Sequence, residues 1–152
     1  MEILFAALHV IAAVFIVGPM AILPMTAMRA VRARNGAQVQ ALARATSTFT
    51  LLSLLVLLTG FILIEAGDPK NNVTLSTGWI IGSIMLYVIA VAINLFITVP
   101  SMKRVADGVT ASTGAEGMIM AARPAGYSTI AGASGLASLL LVAVVVLMVW
   151  KP

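Results

Sequence analysis

Four uninterrupted apolar runs constrain this chain more than any other feature. They cover about residues 3–28, 47–66, 78–99 and 127–150. A helix needs about 20 apolar residues to cross the hydrocarbon of a bilayer, and each run reaches that length. None carries an acid or a base in its central turns. Only a helix satisfies its own backbone hydrogen bonds in lipid without neighbouring strands. Barrel strands alternate in polarity and are about 10 residues long, which these runs do not resemble. The expected fold is therefore an all-α integral membrane four-helix bundle, formed by residues 1–152 as a single transmembrane domain.

Composition agrees. Hydrophobic residues make up 61% of the chain and charged residues 9%, against roughly 25% charged in soluble domains. The basic balance does not indicate nucleic acid, because the cations lie in short tracts between apolar runs with no aromatic–basic surface. Cysteine is absent, which excludes disulfides and thiolate chemistry. The acidic Met1-Glu2 start is unlike a secretion signal, so the first run reads as a retained helix.

Loop charge sets the expected orientation. Arg29, Arg32, Arg34 and Arg44 lie between runs one and two, and Lys103, Arg104 and Arg123 between runs three and four. Lys70 and Lys151 fall on the opposite side, so seven of the nine basic residues share one side. The positive-inside rule makes that side cytoplasmic and leaves both termini extracytoplasmic in the cell membrane. Trp79 and Trp150 then sit at the outer interface, where indole rings are enriched. The helix of run two could extend into the cytoplasm from near Gln38, because 38–44 holds good helix formers, and Asn35-Gly36 reads as the turn before it. Pro100 is expected to end run three, leaving a loop to Gly126 with a short interfacial helix at 116–120. Pro24-Met25-Thr26-Ala27-Met28-Arg29 and Pro100-Ser101-Met102-Lys103-Arg104 form a weak echo between two hairpins.

Few side chains offer chemistry. His9, the sole histidine, lies about 10 Å along the first helix. An ionisable group at that depth is a functional candidate. It could ligate haem or copper, move a proton, or hydrogen-bond between helices, and the last is favoured. One histidine excludes paired-histidine haem ligation, which leaves Met85 or Met148 as a soft second ligand. No other cofactor or metal is implied. Gly18-Pro19 and Pro24 predict a kink in run one, with no matching break expected within run three. Asn94 requires a hydrogen-bond partner, with Thr50 and Thr129 at suitable depth. Small residues form seams for close helix packing or docking of a partner: Gly78 and Gly82 on run three, and Ser128, Ala131, Gly132, Gly135 and Ser138 on run four. No carboxylate lies in the central turns of a run, Glu65 standing at the end of run two, and no catalytic set can be assembled. An enzyme is disfavoured.

The stretch Leu8-His9-Val10-Ile11-Ala12-Ala13-Val14-Phe15-Ile16-Val17-Gly18-Pro19-Met20, with Leu57-Leu58-Thr59-Gly60, resembles small four-helix bacterial membrane proteins. These are similar to part of the membrane domain of copper-resistance protein D. That resemblance covers the first half and implies metal or haem binding at His9. The size and Ala/Val/Arg-rich style also resemble the association factor of the actinobacterial respiratory supercomplex of cytochrome bcc and an aa3 oxidase. This second likeness implies a cofactor-free, non-catalytic accessory subunit of an electron-transport complex. Its partners would be other integral membrane subunits and lipid. A small exporter is a third reading.

Overall fold

The computed structural model describes residues 2–65, 74–114 and 126–150. Four long helices account for nearly all of them. Helix α1 comprises Glu2–Ala12, a π-helical turn at Ala13–Val17, and Gly18–Arg32. Helix α2 is Gly36–Glu65. Helix α3 comprises Gly78–Ile93, a second π-helical turn at Asn94–Thr98, and Val99–Gly114. Helix α4 is Tyr127–Trp150. All four are long and apolar enough to cross a membrane.

The α1–α2 turn is held by hydrogen bonds back onto the end of α1. Arg34 N–H donates to the Val31 carbonyl and Asn35 N–H to the Ala30 carbonyl, the bonding pattern of a Schellman cap. The left-handed residue of this cap is Arg34, at φ 53°. Asn35 then caps α2, its Oδ1 accepting the Gln38 N–H at 3.0 Å. The expected Asn35-Gly36 turn is thus displaced by one residue, and Gly36 is already helical. Its small size serves another purpose. A Cβ there would lie 2.9 Å from the Ala106 carbonyl oxygen and collide with the Thr110 hydroxyl. Gly36 lets the start of α2 press against α3.

Pro100 does not end α3, contrary to the sequence expectation. The helix continues to Gly114, so most of the anticipated 100–126 loop is helical as far as it is described; the interfacial helix expected at 116–120 lies outside the described residues. A proline lacks the N–H that closes its own turn, and its ring meets the carbonyl one turn back. The π-helical turn at Asn94–Thr98, closed by Val99 N–H to the Asn94 carbonyl, widens the helix immediately before the proline. Helix α1 uses the same device: Gly18 N–H reaches the Ala13 carbonyl and Pro19 follows. The two sites share a local pattern, Phe15-Ile16-Val17-Gly18-Pro19 and Phe96-Ile97-Thr98-Val99-Pro100. The break in run one therefore has a counterpart in run three after all. The hairpin echo aligns Pro19, not Pro24, with Pro100.

Helix α1 packs along α2, and α3 along α4, while Gly18–Arg32 also packs on α4 and Val99–Gly114 on α2. The four helices join most firmly at the end that bears the arginines. There, Ala27, Ala30, Val31, Val39, Ala43, Met102, Val105, Ala106, Val109 and Ile130 form one buried cluster. Its small side chains allow the backbone approach that lipid-embedded helices need in place of a hydrophobic drive. With 30 residues, α2 is about 45 Å long, well beyond the roughly 30 Å of hydrocarbon. The basic end therefore rises out of the bilayer as a compact helical cap. Within it Arg32 grips Tyr127, with Nε and Nη2 donating to the phenol oxygen at 3.0 and 2.6 Å and the guanidinium 5.5 Å from the ring centre.

Candidate functional site

The polar side chains inside the bundle are the only candidates for chemistry among the described residues. Helix α2 carries three on one face: Thr46, Thr50 and Ser53, all fully buried. A spacing of four and three residues keeps them aligned. Each hydroxyl donates to a carbonyl of its own helix: Thr46 to Leu42 at 2.8 Å, Thr50 to Thr46 at 2.7 Å, and Ser53 to Thr50 at 2.7 Å. This arrangement satisfies every proton and turns the oxygen lone pairs toward the other helices. Ser53 uses them: the Tyr87 hydroxyl on α3 lies 2.6 Å away, and since the Ser53 proton is committed, Tyr87 is the donor. The Thr/Ser periodicity is visible in the sequence and was the available signal for this contact. Tyr87 itself carries no distinguishing motif.

His9 is held in the same manner. Its Nδ1 lies 2.9 Å from Thr59 Oγ1, and Thr59 donates its own proton to the Val56 carbonyl at 2.8 Å. The threonine oxygen can then only accept, so the ring carries hydrogen on Nδ1. In the neutral imidazole this leaves the Nε2 lone pair available to a metal, a haem iron or a donor. Gly60 makes room for the ring; a Cβ at Gly60 would lie 3.2 Å from His9 Cε1. The interhelical hydrogen bond favoured for His9 is therefore present, formed with α2.

The methionines suggested as second ligands are not brought to His9. Met85 is 59% exposed and Met148 39% exposed on the outer surface of the bundle, and no described contact joins either to the imidazole. Among the described residues no cluster of three or more His, Cys, Asp or Glu side chains could hold a metal ion.

Asn94 sits at the first position of the α3 π-turn, 1% exposed. Neither its Oδ1 nor its Nδ2 has a hydrogen-bond partner among the described residues. The expected partners do not serve: Thr50 donates its proton within α2 and its oxygen makes no hydrogen bond to Asn94, and Thr129 is exposed at the surface.

The glycine seams divide. Gly82 packs in the α3–α4 contact, its missing Cβ 3.8 Å from Leu147 Cδ1. Among the described residues, a Cβ at Gly78, Gly132 or Gly135 would meet nothing within 4 Å. The buried face of α4 is Ile130, Ser134, Ala137, Leu141 and Val144. Gly132 and Gly135, together with Ser128 and Leu139, lie on the opposite face.

Neither the curated proteins nor the solved structures yielded a match. A family described as "Predicted integral membrane protein (DUF2269)" matches residues 3–152. Four membrane-length helices and a match over almost the whole sequence agree: the chain is a multi-pass integral membrane protein and belongs to the DUF2269 family.

Proposed function

We propose that the chain is a non-catalytic accessory subunit that packs against other integral membrane subunits. The supporting observation is the outward-facing glycine pair of α4, Gly132 and Gly135, around which a Cβ meets none of the described residues. Small residues in a membrane helix permit close approach of another helix, and none of the described residues makes use of that property here. The finer reading places the protein beside cytochrome bcc and an aa3 oxidase, with its arginine-rich cap in the cytoplasm, and rests on the resemblance noted from the sequence. The test is purification of tagged protein in mild detergent from its native membrane. Oxidase and bcc subunits are expected to copurify, and Gly132→Leu with Gly135→Leu is expected to release them while the thermal transition of the isolated chain is unchanged. Recovery of the native chain without any membrane subunit would refute the proposal.

One observation favours a second reading, binding of haem or copper. Thr59 fixes the His9 proton on Nδ1 and so presents Nε2 as a ligand, the kind of support that orients metal-bound histidines. The second ligand would come from a partner or the cofactor environment, given the positions of Met85 and Met148. A stoichiometric Soret band or bound copper that disappears in His9→Ala would establish this reading; its absence from protein isolated with its partners would exclude it.

A further inference from the structure

Asn94 is the one fully buried carboxamide in the apolar interior, and both of its polar atoms lack a protein partner among the described residues. Burying an amide without hydrogen bonds costs several kcal/mol in an apolar medium. Something must answer it.

The surroundings follow from contacts already given. Ser53 meets Tyr87 across α2 and α3. Seven residues further along α3 is Asn94, and seven residues back along antiparallel α2 is Thr46. Two turns return to nearly the same face, which puts the two residues at one level on the facing sides of α2 and α3. Gly82 meets Leu147 across α3 and α4. Twelve residues along α3 is Asn94 and twelve back along α4 is Gly135, beside Ser134. Arg32 meets Tyr127 across α1 and α4; seven residues in each direction gives Met25, beside Pro24, opposite Ser134. One level of the bundle therefore contains Pro24, Thr46, Asn94 and Ser134, one from each helix, none more than 2% exposed.

Their chemistry is complementary in kind but not in reach. Thr46 has committed its proton to Leu42 at 2.8 Å, and Ser134 makes only a long bond to Ala131 at 3.4 Å. Both offer lone pairs to the centre, and Asn94 offers two N–H groups and a carbonyl. Asn94 has no partner within hydrogen-bonding distance. One water, with two bonds of about 2.8 Å, spans gaps of about 4 to 5.5 Å. A buried water needs two to four polar partners, and this level supplies them from three helices. A metal cation suits the level poorly, because every group is neutral and an unpaired charge is costly in a membrane.

We infer that a water molecule is bound at this level, bridging the Asn94 carboxamide to the hydroxyls of Thr46 and Ser134. It ties the π-turn of α3 to α2 and α4 at the proline break. The site is independent of any partner subunit and of His9.

The test uses full-length protein in lipid nanodiscs. X-ray pulses convert bound water to hydroxyl radicals, which oxidise adjacent side chains even when bulk water is remote. Oxidation of Leu95, next to Asn94 and partly buried against the core, is expected in the wild type and is expected to fall several-fold in Asn94→Leu and in Ser134→Ala. The second variant removes only a hydroxyl and keeps the test valid if the first does not fold. Asn94→Leu is expected to lower the melting temperature, because it discards a satisfied amide. A rise would mean that the amide is bare and would overturn the inference. So would absence of Leu95 oxidation from the wild type, or oxidation unchanged in both variants. Stabilisation by sodium chloride but not by choline chloride at equal concentration would identify a cation instead of water, and would also overturn it.

Discussion

The tautomer of His9 is the most direct consequence of the structure that can be measured. Thr59 is the lever. Its hydroxyl proton is spent on Val56, so its oxygen accepts from His9 Nδ1 at 2.9 Å. Replacing Thr59 by valine keeps the shape and removes the hydroxyl acceptor, leaving the Val56 backbone near the ring. Interhelical hydrogen bonds in membranes average about 0.6 kcal/mol and reach about 1.7 kcal/mol. At RT of about 0.59 kcal/mol, Thr59→Val should then shift the ratio of Nδ1–H to Nε2–H forms by roughly three-fold to eighteen-fold toward Nε2–H. The assay is ring-nitrogen NMR on protein labelled with 15N-histidine. With one histidine in the chain, a single pair of ring signals reports the tautomer without assignment ambiguity. The wild type should show a protonated Nδ1 and a bare Nε2. A wild type dominated by Nε2–H, or a ratio indifferent to Thr59→Val, would refute the argument and remove the structural support for ligation at His9.

Other perturbations have equally definite signs. Gly36→Ala would place a Cβ 2.9 Å from the Ala106 carbonyl oxygen; overpacking of this kind costs about 1–3 kcal/mol, so its melting temperature should fall. Gly108→Ala, in open space on the exposed side of α3, should instead raise it, by up to about 1 kcal/mol of helix propensity. Tyr87→Phe removes the donor to Ser53 and should cost about 0.6–1.7 kcal/mol in thermal or denaturant unfolding. Arg32→Lys cannot reproduce the two-pronged grip on Tyr127 or the stacking of a planar guanidinium. Faster amide exchange at the start of α4, read by mass spectrometry, is the expected result.

Hydropathy made the helix number legible because a lipid solvent imposes length and apolarity on every crossing segment. Good helix formers at 38–44 announced the early start of α2, but nothing showed that α3 continues past Pro100. Residues 36–46 and 99–114 are only moderately polar, and they are helical because the ends of α1 and α4 pack on them at the basic end. Pro100 misled for a related reason: a proline ends a helix only where the preceding turn cannot widen, and nothing in Asn94-Leu95-Phe96-Ile97-Thr98 announces a π-turn. Among the candidate residues, His9 was legible as an ionisable group inside an apolar run, and the structure half-buries it. Its partner was not, because Thr59 resembles any other threonine in an apolar run. The glycines of α4 were legible as a seam, but their direction depends on the rotation of that helix, which is set by packing of Ile130, Ser134, Ala137, Leu141 and Val144.

Each π-turn amounts to a spare residue in an otherwise regular spiral. In an ordinary α-helix, loss of one residue rotates everything beyond it by about 100° and carries buried side chains into the lipid. At Ala13–Val17 or Asn94–Thr98 the same loss would relax the wide turn to normal pitch, and the faces above and below would keep their relations. The two hairpins therefore hold their slack at matching positions, His9 above it on α1 and Tyr87 above it on α3. Length variation within these membrane segments has two tolerant addresses, and both lie just ahead of a proline.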